Sequence, residues 1–124
     1  MIEYTVTVND DCTRFWWLNG KYHREDGPAI EFADGNRYWY LNGQLHREDG
    51  AAIEYANGSR CWYLNGKRHR EDGPALEYPD GTREWYLNGE EYTEEEFNKK
   101  TLKAKELTVA EIEALLGYQI KVVK

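Results

Sequence analysis

The chain has little of what enzymes and exported domains are usually built on. Serine occurs once in 124 residues, at Ser59, in a turn, and there is no Gly-rich phosphate loop, nucleophile elbow or paired-cysteine zinc spacing. An enzyme is not expected on this reading, and neither is a cofactor, a metal or a catalytic residue. The two cysteines, Cys12 and Cys61, make no disulfide framework, so both read as free thiols in a reducing compartment. No apolar run is long enough to span a bilayer. The opening Met1-Ile2-Glu3-Tyr4-Thr5-Val6 has no basic segment followed by an apolar one, and the expectation is a soluble cytoplasmic protein.

Basic residues are also scarce where they would matter. Residues 1–92 hold 10 Lys and Arg against 17 Asp and Glu, whereas residues 93–124 hold six of each sign, so the whole net charge of −7 lies in the first part. Direct binding to nucleic acid or to a membrane surface is disfavoured, because phosphates need Lys and Arg. A basic protein partner is favoured, with solubility as the plainer use of the same charge.

What is present is a repeat. Trp39-Tyr40-Leu41-Asn42-Gly43 returns as Trp62 to Gly66 and as Trp85 to Gly89, each 23 residues on, and Trp16-Trp17-Leu18-Asn19-Gly20 precedes them in register. Between the copies lie His23 to Glu31, His46 to Glu54 and His69 to Glu77, nearly identical connectors beginning His-Arg-Glu-Asp-Gly. A fixed period of this size marks units that bury apolar surface only by stacking on their neighbours.

Each unit reads as strands joined by tight turns at Asp34-Gly35 and Asn42-Gly43, since Asp-Gly and Asn-Gly supply the positive φ of type I′ hairpins. Taking Asp34-Gly35 as a two-residue loop sets Phe32 opposite Arg37 and Ile30 opposite Trp39. Asn42-Gly43 sets Tyr40 opposite Leu45. Strand alternation then collects Ile30, Phe32, Trp39 and Leu41 on one, core-forming face, and Glu31, Tyr38 and Tyr40 on the other. The fold class is mainly β: an antiparallel β-hairpin meander of four 23-residue units over residues 1–92, with a C-terminal helix-helix-strand cap over 93–124.

The ends differ from the middle. Cys12 falls where other copies carry Gly35, Gly58 and Gly81, and since cysteine resists positive φ that turn is expected to be rebuilt or lengthened. Thr93-Glu94-Glu95-Glu96 is a capping box with Tyr92 and Phe97 as its staple. A second signal at Thr108 to Glu111 predicts a helix from Val109 to about Leu116 that stops at Gly117, followed by a strand over 118–123.

A Trp or Tyr strand, Asn-Gly, a Gly-containing connector, an aromatic strand and Asp-Gly on a 23-residue period resemble the MORN (membrane occupation and recognition nexus) class of β-hairpin repeats. The Asn-Gly to Asp-Gly connector here is longer than the usual MORN spacing. Arrays reading Trp-Tyr-Leu-Asn-Gly-x-x-His-Arg-Glu-Asp-Gly-Pro-Ala also resemble proteins of bacteriophages and large viruses. The resemblance covers residues 13–92 and implies a scaffold or binding surface rather than a particular activity.

The His-Arg-Glu-Asp tetrads at His23, His46 and His69 could suggest acid–base chemistry or metal ligation. Their threefold repetition favours construction instead, with Arg24, Arg47 and Arg70 alternating with Glu25, Glu48 and Glu71 along the stack. Asp26, Asp49 and Asp72 are then expected to cap backbone N–H groups. For recognition, Trp17, Tyr38, Tyr40, Tyr63 and Tyr86 with Glu31, Glu54 and Glu77 form an expected aromatic, acidic strip that docks a protein. The partner that fits is a basic nucleic-acid-binding bacterial protein, met in the host cytoplasm if the chain is phage-encoded and inhibited by carboxylates standing where phosphates would sit. Open sheet edges add a homodimer to the expectations. The competing readings are a carbohydrate- or choline-binding aromatic repeat protein and a MORN-type structural scaffold.

Overall fold

The computed structural model describes residues 3–101. Among these residues, antiparallel strands form an open sheet and one helix follows them. In chain order the strands are β1 (Thr5–Val8), β2 (Arg14–Leu18), β3 (Lys21–Tyr22), β4 (Ile30–Glu31), β5 (Arg37–Tyr38), β6 (Tyr40–Leu41) and β7 (Gln44–Leu45). They continue as β8 (Ile53–Glu54), β9 (Arg60–Cys61), β10 (Tyr63–Leu64), β11 (Lys67–Arg68), β12 (Leu76–Glu77), β13 (Arg83–Leu87) and β14 (Glu90–Tyr92). The main ladder runs β1-β2-β4-β5-β8-β9-β12-β13-β14, while β3, β7 and β11 fold back on β2, β6 and β10.

The Asn-Gly turns are as their sequence requires. Asn42 and Gly43 have φ of 51° and 80°, and Tyr40 pairs with Leu45 and Leu41 with Gln44, the two-residue register expected. These small hairpins stack through backbone bonds of one type: Gly43 N–H donates to Tyr22 O (2.9 Å), Gly66 to Leu45 (2.8 Å) and Gly89 to Arg68 (2.9 Å).

The Asp-Gly turns overturn the expected register. Gly35 N–H donates to Phe32 O and Phe32 N–H to Asn36 O, so the loop is three residues, Ala33-Asp34-Gly35, a type I turn closed by a left-handed glycine. Ile30 therefore pairs with Tyr38 and Glu31 with Arg37. A one-residue slip exchanges faces. Ile30 and Tyr38 share a face, and Trp39 lies on the other with Glu31, contrary to the sequence expectation.

Two rows of paired residues follow across the sheet. The first is Phe15, Ile30, Tyr38, Ile53, Cys61, Leu76 and Glu84; the second is Arg14, Glu31, Arg37, Glu54, Arg60, Glu77 and Arg83. Ile53, Cys61 and Leu76 are the buried centre of the first row, with Tyr38, Leu45, Tyr55, Tyr63 and Tyr86 packed against them. The second row alternates in sign at every step, which favours each cross-strand pair and this register over any slip. Ala29, Ala52 and Ala75 are fully covered, whereas the tryptophans expected to form the core are only half-buried.

The first turn is not rebuilt. Asn9 N–H donates to Thr13 O and Cys12 N–H to Asn9 O, the pattern of the later loops, with Cys12 held at φ 71°. A residue other than glycine, asparagine or aspartate is strained in this region. Cys12→Gly is expected to raise stability by about 1 kcal/mol, read as a rise of roughly 3–5 °C in melting temperature. An unchanged or lowered midpoint would remove the strain argument.

At the other end, Glu96 N–H donates to Thr93 Oγ1 (3.1 Å) and Thr93 N–H to Glu96 Oε1 (3.0 Å), the reciprocal capping box that starts α1 (Glu94–Thr101). Phe97 is buried, and the helix packs against β13 and β14. The second predicted helix and the strand over 118–123 lie outside the described residues.

Candidate functional site

The connectors build the most distinctive surface. Their arginines do not alternate with Glu25, Glu48 and Glu71; each folds back within its own unit. Arg47 lies 3.9 Å from the centroid of the Trp39 ring, and its Nε donates to Asp49 (2.8 Å). Its Nη1 donates to the Ala51 carbonyl (3.1 Å) and lies 3.5 Å from Glu54. Arg24 does the same over Trp16 with Asp26, Pro28 O and Glu31, and Arg70 over Trp62 with Asp72, Pro74 O and Glu77. Asp26, Asp49 and Asp72 thus hold arginines rather than capping backbone. Backbone capping falls instead to Asp11, Asp34, Asn57 and Asp80, which accept from the residue two positions on. Hydrogen bonds to Thr13 and to Thr82 hold the Asp11 and Asp80 carboxyls below their ordinary range.

The histidines join units. His23 Nδ1 accepts the Asn42 N–H, His46 Nδ1 that of Asn65, and His69 Nδ1 that of Asn88, each at 2.9 Å and 19 residues ahead. An accepting Nδ1 fixes the tautomer with the proton on Nε2, which faces Glu25, Glu48 or Glu71 at 3.4–3.5 Å. One imidazole nitrogen is thereby committed to holding the next left-handed Asn-Gly turn.

Two equivalent grooves lie between successive connectors. The first, about 640 Å³, has Trp39, Leu41 and His46 as its floor, with Arg24 to Pro28 and Arg47 to Asp49 as walls. The second, about 670 Å³, has Trp62, Leu64 and His69 between Arg47 to Gly50 and Arg70 to Asp72. The arginines are neutralised within their units, so the rims are dominated by exposed carboxylates: Glu25, Asp26, Glu48, Asp49, Glu71 and Asp72.

The strip expected from sequence is split by the register. Trp17, Tyr38, Tyr40, Tyr63 and Tyr86 share the aliphatic face. Trp17 packs on Tyr22 (4.3 Å between centroids), Tyr40 also meets Tyr22 (5.3 Å), and Tyr38, Tyr63 and Tyr86 adjoin the buried cluster. Glu31, Glu54 and Glu77 lie on the opposite face, against the arginines. Burial raises the Tyr40 hydroxyl pKa and pushes Tyr55 up to about 12, as expected of rings serving as core. Burial likewise raises the Cys61 thiol, which makes it a poor nucleophile. The groove acids were legible as a repeated tetrad, but their separation from the tyrosines was not.

Arg68 and Glu84 interrupt the aliphatic face. Arg68 donates to the Tyr63 and Tyr86 hydroxyls (3.1 and 3.3 Å), and Glu84 accepts from Tyr86 (3.4 Å). Each charged group thus has a polar partner where the sheet turns from apolar to polar.

No protein-family model matches the chain, and no significant match is found among curated proteins or solved structures.

Proposed function

We propose that the chain is a non-catalytic protein-binding module, a four-unit MORN-like β-hairpin array that docks a basic protein on its tryptophan–arginine face. The observation that carries this reading is the pair of equivalent grooves, each floored by Trp, Leu and His and rimmed by exposed carboxylates. The docking residues are Trp39, Trp62, Glu25, Asp26, Glu48, Asp49, Glu71 and Asp72, in place of the tyrosine strip, whose rings serve the core. The acidic excess of residues 1–92 supports a partner that otherwise binds nucleic acid, its basic site met by carboxylates in a row. The resemblance to phage-encoded arrays makes a bacterial host or defence protein the first candidate, with the array acting as its inhibitor. A homodimer through the β1 edge, which no other strand pairs among the described residues and where Val6 and Val8 are exposed, is a secondary proposal.

Affinity capture from bacterial lysate tests the reading. Basic nucleic-acid-binding proteins are expected to be retained at about 0.05 M salt and released by about 0.5 M, since screening shortens the reach of exposed charges. Added DNA or RNA is expected to compete for the same proteins. Retention unaffected by salt or by nucleic acid would replace acidic docking with apolar docking.

A further inference from the structure

The first histidine position differs from the other two. The Tyr4 ring stacks on His23 with centroids 6.2 Å apart and planes 23° from parallel. His23 is 5 % exposed, and its Nε2 is buried without a hydrogen-bond partner among the described residues. His46 and His69 have the same backbone bond and the same glutamate, yet no ring stacks on either among the described residues. Instead, each lines a groove, with its side chain 12 % exposed at His46 and 10 % at His69 against 6 % at His23. The chain thus lays its own tyrosine ring on one of three equivalent imidazoles, while the other two line grooves.

We infer that the grooves at His46 and His69 are slots for aromatic side chains of a basic peptide segment, with Tyr4 on His23 as the built-in template of the occupied state. This rests on the proposed docking of a basic protein and specifies what that protein presents. An aromatic ring entering a slot meets the imidazole on the floor and Trp39 or Trp62 beside it, surfaces on which flat rings bury area at small entropic cost. The rims set the flanking chemistry. Glu48 is exposed and, among the described residues, faces only the imidazole, at 3.5 Å; Glu25 and Glu71 are placed alike, so three carboxylates are offered to Lys or Arg.

Spacing restricts the backbone of the guest. Successive slots are two strands apart, about 9.6 Å at the usual inter-strand distance. A polyproline II segment advances about 9.3 Å in three residues and returns its side chains to the same side, whereas a β-strand presents residues i and i+3 on opposite sides. The guest is therefore an extended basic segment with aromatic residues at i and i+3.

The probe is the synthetic peptide Lys-Tyr-Lys-Lys-Tyr-Lys, blocked at both ends, titrated into the full chain with histidine side-chain NMR signals as readout. The expected result is that the signals of His46 and His69 move and that of His23 does not. Replacing both peptide tyrosines by alanine is expected to weaken binding about tenfold or more, and inserting one residue between them several-fold. In a Tyr4→Ala variant the His23 signal is expected to respond as well. Glu48→Gln should weaken binding by a few-fold without shifting the melting temperature, which separates a contact with the guest from a role in folding. Equal binding of the tyrosine and alanine peptides overturns the slots and leaves acidic docking intact. Absence of binding by either peptide also overturns the slots, while salt-released capture from lysate continues to judge the docking reading on its own.

Discussion

Arg47→Ala is expected to lower the free energy of unfolding by about 3 kcal/mol, close to half the stability of a marginal domain. Three losses combine. The Ala51 carbonyl, in a residue 3 % exposed, loses its donor, and a buried acceptor left unpaired costs about 1–3 kcal/mol. Trp39 loses the guanidinium 3.9 Å above its ring, worth about 0.5–2 kcal/mol at a half-desolvated site. Glu54 loses the cation that sits 3.5 Å away. The pair with Asp49 adds little, because that carboxylate is largely in water. Arg47→Lys should recover charge near Glu54 but not the planar stack or the simultaneous contacts of the fork, leaving roughly half the loss. Urea unfolding with an unchanged slope measures it. A change below about 0.5 kcal/mol would reduce Arg47 to an ordinary surface charge.

Gly50→Ala is expected to cost about 2 kcal/mol, and the reason lies in Arg47 rather than in the glycine's backbone. A Cβ at Gly50 would stand 3.0 Å from the arginine Cζ and 3.2 Å from its Nε. The tip of an arginine usually moves aside freely. This one is held by Trp39, Asp49, Ala51 O and Glu54 together, so making room breaks several contacts at once. In an Arg47→Ala background the same substitution should become neutral or gain about 0.5 kcal/mol from reduced freedom of the unfolded chain. The cycle therefore predicts a coupling of about 2 kcal/mol. Additive effects would sink the account. Gly27 and Gly73 stand in the same relation to Arg24 and Arg70, which explains why glycine closes every His-Arg-Glu-Asp tetrad.

The parts of this fold that depend on neighbouring residues were readable from sequence. Asn42-Gly43 gave the register of Tyr40 with Leu45, and Thr93 with Glu96 gave the start of the helix. Asp34-Gly35 misled because the same dipeptide serves two loops, a two-residue type I′ turn and the last two positions of a three-residue loop. The discriminating signal was one unit away. Pro79 stands before Asp80-Gly81, and proline with φ near −65° suits the first loop position of a type I turn. Read across units, Pro79 assigns Ala33 and Ala56 to the turn and moves Tyr38, Tyr40, Tyr63 and Tyr86 to the aliphatic face. The arginine–tryptophan stack was illegible for a different reason: the side chains meet by the chain folding back from β7 and its counterparts, and no spacing rule places a guanidinium on an indole eight residues earlier.

The bonds by which one unit holds the next, from Gly43 to Tyr22, from Asn42 to His23 and from Arg24 to Tyr40, are repeated in kind with an offset of 23 residues. A cut in one unit and at the matching point in another rejoins these same bonds. Gene segments encoding whole units can thus be lost or duplicated with the bonds between units kept. Such a chain evolves its reach by counting, adding or removing one groove at a time, while side-chain substitution is left free to tune what each groove holds.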